Sequence, residues 1–475
     1  MDIPLPADLR ELLRTKPELQ EAYLAGGTVR DFLAGKENKD FDVEVFGIGL
    51  ETLTSVLSSA GETNLVGKSF GVIKLRLPSG IYDFSLPRRD SKAGPGHKGF
   101  EVAFDKSITP QEAASRRDFT INAMMYRPRD GLLLDFFHGQ NDLRAGILRH
   151  VSSAFVEDPL RVLRGMQFAA RYDLRVHANT AQLCRSIKPS YHELPVERIR
   201  EEWYKWATKA IKPSAGLKFL LEVDWLSHFP EIDALRQTPQ DPEWHPEGDV
   251  FVHTGLCCDA LATLDDYKRL EPEAKAVLML ATLCHDLGKA TTTEKRLKGG
   301  RERITSYGHE EAGAPLATNF LKRIGFQQSI IERVVPLVRN HLVHFQTPSE
   351  RSIRRLARRL FPETIEHLAL LMRADHMGRP PRPPIPPPGV AAMLERAMAM
   401  NLASTAPQPL LKGRHLIERG LSPGPDFSKI LEAAFEAQLE GAFADLPGGR
   451  NWLEQHLDEP TQKKGGHSLP KSTQQ

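Results

Sequence analysis

The segment KDFDVEVFG, residues 39–47, alternates Asp40, Asp42 and Glu44 with Phe41, Val43 and Val45. A period of two marks a β-strand with one apolar and one polar face, and residues two apart share a face. Asp40 and Asp42 therefore stand side by side, and their repulsion is costly unless a cation lies against them. Two carboxylates together with substrate phosphates are what Mg²⁺ asks for. A pair of such ions about 3.5–4 Å apart supports in-line phosphoryl or nucleotidyl transfer. A second β-like run, IYDFSL (81–86), offers Asp83 as a third carboxylate if the two strands are neighbours. A bare D-x-D also describes a solvated strand face, so its context decides. That context is AGGTVRD (25–31), where Gly26 and Gly27 let a backbone with donating amides approach a triphosphate and Arg30 is available for phosphate oxygens.

A chain of 475 residues exceeds one hydrophobic core. Residues 1–150 mix short strands (FDVEVFGI, GVIKLRL, IYDFSL, GLLLDFF) with helices, which predicts an α+β unit. From 151 to 235 the apolar spacing becomes three and four, as in RVLRGMQFAARY and VERIREEWYKWATKAI, and helices are expected. Helical spacing resumes over 236–378 with histidines scattered through it. The proline run at 379–389 is expected to be a stiff connector, because proline lacks the amide donor that a helix interior needs. A small helical segment follows at 390–460, and the polar stretch 461–475 reads as a disordered tail. With 63 basic and 61 acidic residues the net charge is +2, so a nucleic-acid partner must be held by local patches. Cys184, Cys257, Cys258 and Cys284 form no metal or disulfide spacing and read as small core residues in a reducing compartment. Neither a signal peptide nor a spanning apolar run is recognised, so a cytoplasmic protein with no membrane partner is expected.

Glycine pair, arginine and D-x-D in this order resemble the polymerase-β type of nucleotidyltransferase, and more closely the class II tRNA nucleotidyltransferases, or CCA-adding enzymes. SRRDFTINAMMY (115–126) is similar to that family's ribose-recognition motif, which implies that Arg117 and Asp118 contact sugar and phosphates. DFFHGQNDLRAGILRHV (135–151) resembles the segment joining head to neck, and EDPLRVLRGMQFAARYD (157–173) the base-reading motif, with Asp158, Arg161 and Arg164 at the nucleotide. Residues 88–113 sit where the family has a flexible loop needed for the final adenylate. LKGRHLIERGLSPGPDFSKILEAAFEAQLEG (411–441) is similar to the C-terminal part of the same enzymes. One departure stands out: the family commonly has a third arginine where this chain has Gln167.

The base-reading motif also follows from chemistry. Asp158 and Arg161 lie three apart on a helix face and project together. Cytosine and adenine present an amino donor beside a ring-nitrogen acceptor, whereas guanine and uracil present the reverse. An acceptor-only Asp and a donor-only Arg suit C and A, and leave G and U with mismatched polar groups.

In the third segment the order H…HD…D, formed by His253, His285, Asp286 and Asp375, resembles the HD-superfamily metal phosphohydrolases. The resemblance implies that these four are metal ligands, with Lys289, His309 and His341 near a phosphate; His344 follows in the same motif. Imidazole suits Ni²⁺, Mn²⁺ or Zn²⁺ and the carboxylates tolerate Mg²⁺. The arginines at 354, 355, 358 and 359 form a stripe that could follow a phosphate backbone or be a solvated helix face.

The expectation is thus an α+β nucleotidyltransferase head followed by a helical neck, an HD domain and C-terminal helices. With two Mg²⁺ in the head, it adds CCA to tRNA from CTP and ATP, and DNA is not its partner. A poly(A) polymerase, a partial CC- or A-adding enzyme, and an HD phosphohydrolase with an RNA-binding head remain the alternatives.

Overall fold

The computed structural model describes residues 2–36, 40–66, 71–92, 100–343, 347–385 and 387–457. The expected flexible loop at 88–113 lies only partly within them, and His344 and the 461–475 tail lie outside. Two compact units are present, the first comprising 1–339 with 374–385 and the second 340–373 with 386–475.

The first unit opens with the strands β1 (Ala22–Ala25), β2 (Asp42–Val45), β3 (Glu62–Val66), β4 (Val72–Leu77), β5 (Gly80–Ser85), β6 (Arg88–Lys92), β7 (Phe100–Phe104), β8 (Met125–Arg127) and β9 (Leu132–Leu134). Seven of them form a mixed sheet in the order β3-β4-β5-β2-β1-β8-β9, while β6 and β7 pair separately. β2 and β5 run parallel, and the neighbouring pairs in the sheet are antiparallel. The apolar alternates of KDFDVEVFG explain the placement of β2. Phe41, Val43 and Val45 are buried with Leu24, Leu75 and Phe84 in one core, against which the Ala7–Thr15 helix lays Leu9, Leu12 and Leu13. Each such side chain contributes about 1.5–3 kcal/mol on burial. β1 and β3 were not legible as strands, because AYLA is short and uniformly apolar and ETNLV carries little alternation.

Helices Leu160–Tyr172, Val196–Lys209 and Pro213–Glu222 follow and pack on one another. Trp203 of the Val196–Lys209 helix meets Trp206, Phe229 and Phe320 edge-on, at ring-centroid distances of 5.4, 5.0 and 5.5 Å. Phe320 belongs to the His309–Arg323 helix, so this aromatic cluster joins the neck to the histidine-bearing helices. The histidine region departs from the all-helical expectation at one place. Glu294–Lys298 and Arg301–Thr305 form an antiparallel hairpin around Gly299–Gly300, whose mostly charged, exposed strands give no apolar period to read.

The second unit is helical, with Glu350–Leu360, Pro388–Ala399, Pro425–Glu440 and Leu446–Leu457. The Pro388–Ala399 helix begins inside the run expected as a connector, as proline is tolerated in a first helical turn. The arginine stripe has a local use. Arg351 and Arg355 pair with Glu440, Arg358 pairs with Glu436, and Arg354 Nε donates to the Leu439 carbonyl at 3.0 Å. Arg354, Arg355 and Arg358 thus dock the Pro425–Glu440 helix, while Arg359 Nε donates to Asn340 Oδ1 at 3.1 Å.

Candidate nucleotide cleft and histidine centre

Register does what sequence spacing could not: Asp42 lies directly opposite Asp83 across the parallel pair β2 and β5. Asp40 precedes β2 by two residues. It is exposed like Asp42, with Phe41 and Val43 buried between and after them, so the alternation carries through both. Thr28 Oγ1 donates to the Asp40 carbonyl at 3.0 Å and ties this segment to the Gly27–Leu33 helix. Crowding by surrounding protein and the facing Asp83 raise the Asp42 pKa above its ordinary 3.8, with Arg117 opposing. Lys74 Nζ bridges both Asp83 oxygens at 2.7 and 2.9 Å. Asp42 and Asp83 face a cleft of about 620 Å³ whose lining also includes Gly26, Arg117 and Arg164. Among the described residues, the compact groups of three or more metal donors lie elsewhere, so the head offers a carboxylate pair instead of a closed cage. That donor set fits Mg²⁺, which takes one or two carboxylates and completes its shell with phosphate oxygens and water.

The glycine turn is used differently from the expectation. Gly26 has φ +64°, which favours glycine, and a Cβ there would lie 2.8 Å from Arg117 Nη1 and push that guanidinium aside. Its N–H donates to the Met124 carbonyl at 3.3 Å and is already committed. At Gly27 a Cβ would meet only Arg30 Nη2, at 3.5 Å. Arg30 lines the same cleft and is already engaged from behind. It is 4% exposed, hydrogen-bonded to Asp31 and Asn122, and stacked against Phe168 and Tyr172 of the neck. Its ion pair and stacking hold glycine turn and neck helix together.

The neck supplies the other wall. Asp158 Oδ1 accepts from the Leu160 amide at 3.0 Å and Oδ2 faces Arg198 Nη2 at 3.3 Å. Arg161 is fixed by the carbonyls of Ala154 and Arg116, at 2.6 and 2.8 Å. Both line the cleft, each held in place from behind. Asp118 is buried, bonded to Arg164 Nε at 2.7 Å, Asn122 Nδ2 at 2.9 Å and its neighbour's amide at 2.8 Å. Burial would raise its pKa, but Arg164 and these hydrogen bonds hold it below 3.8. Asp118 therefore positions Arg164, and Arg117 is itself paired with Glu44 at 2.9 Å. Gln167 is 3% exposed and lines the same cleft, and its Oε1 has no hydrogen-bond partner among the described residues. Sequence reading missed Arg171, Arg198, Lys205 and Lys209, which make the neck wall basic. Their signal was the seven and four spacing of 198, 205 and 209 within a helix read only for its apolar face.

The histidine centre is closed. His253 sits on the Val250–Thr263 helix, His285 and Asp286 follow the Pro272–Cys284 helix, and Asp375 lies near the end of Ile365–Met377. All four are buried. His253 Nε2 is 3.0 Å from Asp375 Oδ1 and 3.6 Å from Asp286 Oδ2, and His285 Nε2 is 3.2 Å from Asp286 Oδ2. Lys289 Nζ reaches Asp286 Oδ2 at 2.7 Å, and His309 Nε2 reaches Asp286 Oδ1 at 3.1 Å. His341 belongs to the other unit. Burial penalises the Asp286 charge, but His285 and Lys289 hold its pKa well below the usual range, as Arg379 and His253 do for Asp375. Two residues escaped sequence reading because they lie in a loop rich in proline and acid. Glu247 accepts from His253 Nδ1 at 2.8 Å and from His245 Nδ1 at 2.9 Å, fixing His253 with Nε2 turned toward the carboxylates. Converging buried imidazole and carboxylate donors fit a divalent ion of the transition series or zinc.

Residues 22–149 match the family model of the Poly A polymerase head domain, and residues 250–383 match that of the HD domain. The mixed sheet, its paired carboxylates and these two domains define a nucleotidyltransferase carrying an HD domain. The Multifunctional CCA protein of Nitrosococcus oceani is 37% identical over 367 residues, covering 76% of this chain and 81% of the relative. That of Xanthomonas euvesicatoria is 35% identical over 432 residues, covering 88% and 98%. The chain belongs to the multifunctional CCA protein family. Its fold is also similar to the Bacillus stearothermophilus CCA-adding enzyme in complex with CTP, with a TM-score of 0.65 at 19% identity, covering 95% of this chain and 98% of that one. The Thermotoga maritima CCA-adding enzyme complexed with tRNA aligns with a TM-score of 0.51 at 18% identity, covering 96% and 100%.

Proposed function

We propose that this chain adds CCA to the 3′ end of tRNA, taking CTP and then ATP without a template. The observation that carries the reading is one cleft in which the Asp42–Asp83 pair, the Asp158–Arg161 pair and a basic neck wall meet. The multifunctional CCA relatives and the solved CCA-adding enzymes named with CTP and tRNA support it. The tRNA 3′-hydroxyl forms a bond to the α-phosphorus, the α–β anhydride bond breaks, and pyrophosphate leaves. Two Mg²⁺ at Asp40 and Asp42, with Asp83 beside them, would neutralise the triphosphate and lower the barrier to hydroxyl attack. Arg164, Arg171, Lys205 and Lys209 attract and orient the triphosphate, and Arg117 faces it from the head. Asp158 accepts from the exocyclic amino group of C or A while Arg161 donates to the ring nitrogen. Arg198 and the Ala154 and Arg116 carbonyls keep that pair from re-aiming toward G or U.

The histidine centre adds a second activity, hydrolysis of a phosphate ester, with His253, His285, Asp286 and Asp375 as ligands of Ni²⁺, Mn²⁺, Zn²⁺ or Mg²⁺. Lys289 and His309 are placed for the phosphate. A cytoplasmic location goes with a tRNA substrate.

The test is nucleotide incorporation into a tRNA lacking its 3′ end, resolved to single nucleotides. Two additions with CTP and one more when ATP follows are expected. A long ladder with ATP alone would overturn the reading in favour of a poly(A) polymerase, and a stop after CC would reduce it to a partial adding enzyme. Asp40→Ala is expected to abolish addition and leave folding and hydrolysis intact.

A further inference from the structure

Cys257 follows His253 by four residues on the Val250–Thr263 helix, so the two side chains share a face. Its Sγ lies 3.3 Å from His253 Nε2, the nitrogen that Glu247 turns inward from behind. His285 Nδ1 is held by the Thr282 carbonyl at 2.7 Å, which turns its Nε2 inward as well. One donor atom from each of His253, Cys257, His285 and Asp375 can be chosen so that all four lie within 4.8 Å of one another, and all four residues are buried. A tetrahedral zinc site with bonds of about 2.3 Å to sulfur and about 2.0–2.1 Å to nitrogen and oxygen needs sulfur–nitrogen spacings of about 3.6 Å and nitrogen–oxygen spacings of about 3.4 Å. The 3.0 and 3.9 Å from the two imidazoles to Asp375 Oδ1 bracket the nitrogen–oxygen value, and the 3.3 Å from Sγ to His253 Nε2 falls just short of the sulfur–nitrogen one. The backbone also makes room for the sulfur: a Cβ at Gly378 would stand 2.4 Å from it.

We infer that Cys257 is a thiolate ligand of the histidine centre, which makes it a mixed nitrogen, oxygen and sulfur site that favours zinc over magnesium. The inference rests on the proposed metal centre and revises its donor set: Cys257 takes the fourth place beside His253, His285 and Asp375, while Asp286, paired with Lys289 and His309, stays outside the shell. Sulfur is a poor ligand for the hard Mg²⁺ ion and a good one for borderline-soft zinc, so the thiolate shifts preference as well as affinity. Helical spacing alone brings Cys257 to His253; what a core filler does not account for is the convergence of His285 and Asp375 from other segments on the same point.

The test uses the full chain, stripped with chelator and titrated with Co²⁺, with absorption followed from the near ultraviolet to the visible. A thiolate-to-cobalt charge-transfer band is expected, together with the visible bands of a four-coordinate ion. Cys257→Ser should remove the charge-transfer band, keep visible bands, and weaken zinc binding at least tenfold in chelator competition. Cobalt uptake with visible bands but no charge-transfer band in the unmodified chain would overturn the role of Cys257 and leave the centre standing. If neither set of bands develops, the centre itself fails. Zinc X-ray absorption on the unmodified chain needs no variant: a sulfur scatterer at about 2.3 Å supports the assignment, and a purely nitrogen and oxygen shell refutes it.

Discussion

Both the head and the histidine centre gather carboxylates, at opposite extremes of exposure. Asp42 at the start of the interior strand β2, and Asp40 just before it, are exposed, whereas Asp286, Asp375, His253 and His285 are buried. In the histidine centre the candidate donors all come from the protein, with Lys289 and Arg379 paired to its carboxylates. In the head it supplies a repelling pair and leaves the rest to the nucleotide. A shell completed by substrate couples metal occupancy to the right triphosphate; a prebuilt shell holds its ion between turnovers.

The sharpest way to break this contrast is Asp42→Asn. Nucleotide addition should fall by roughly a thousandfold, several kcal/mol of transition-state stabilisation, while metal retained by the histidine centre, measured by elemental analysis, stays constant. Loss of both would show that the two sites are one system. Next in size, Glu247→Ala removes the acceptor that holds the ring of His253 and should weaken metal binding at the buried centre by about 10–100-fold, read by chelator competition. An unchanged affinity would show that the cage does not depend on that brace.

Arg164→Ala leaves the Asp118 carboxylate buried with fewer partners. A loss of about 2 kcal/mol in denaturant unfolding is expected, less than for a fully buried pair because Arg164 is partly exposed. The sign of the pH effect follows from the depressed folded pKa of Asp118. Its contribution is present above the unfolded value of 3.8 and is lost as pH falls through the lower folded value, so the variant should show a flatter acid limb. Gln167→Arg adds a charge beside Arg164 and Arg171 and should lower KM for CTP and ATP a fewfold with kcat little changed. A raised KM would mean that the Gln167 oxygen accepts a hydrogen bond from the substrate. Smallest is Arg358→Ala, an exposed pair with Glu436, expected to cost less than about 1 kcal/mol and to leave the salt dependence of tRNA binding unaltered.

What the sequence made legible was local. Alternation around Asp42 placed it on a strand, but helical spacing in EDPLR misplaced Asp158, which stands in extended backbone before the Leu160–Tyr172 helix and accepts from the Leu160 amide, while Arg161 lies in that helix. Adjacency was not legible, because the pairing of β2 with β5 is a crossover and no local period encodes which strands become neighbours. Partner choice was equally hidden. Nothing in the sequence around Arg30 shows that Asn122 and Tyr172 will surround it, and nothing in the arginine stripe shows that Glu436 and Glu440 will face it. Charged residues reveal their type to a reader of sequence, but not whether another side chain has already claimed them. His245 and Glu247 were missed for a different reason, since irregular loops have no period from which to infer a face.

The aromatic cluster at Trp203 bears on how such a chain can be shortened over evolution. Trp203 is wholly buried, and Phe320 of a histidine-bearing helix closes one side of its ring. Deleting the histidine region would bare that side of a large indole on the helix that carries Arg198, Lys205 and Lys209, inviting aggregation. A lineage that ceased to need hydrolysis would keep the domain as scaffolding and let its ligands drift. A truncation could survive only after polar substitutions had repainted the neck.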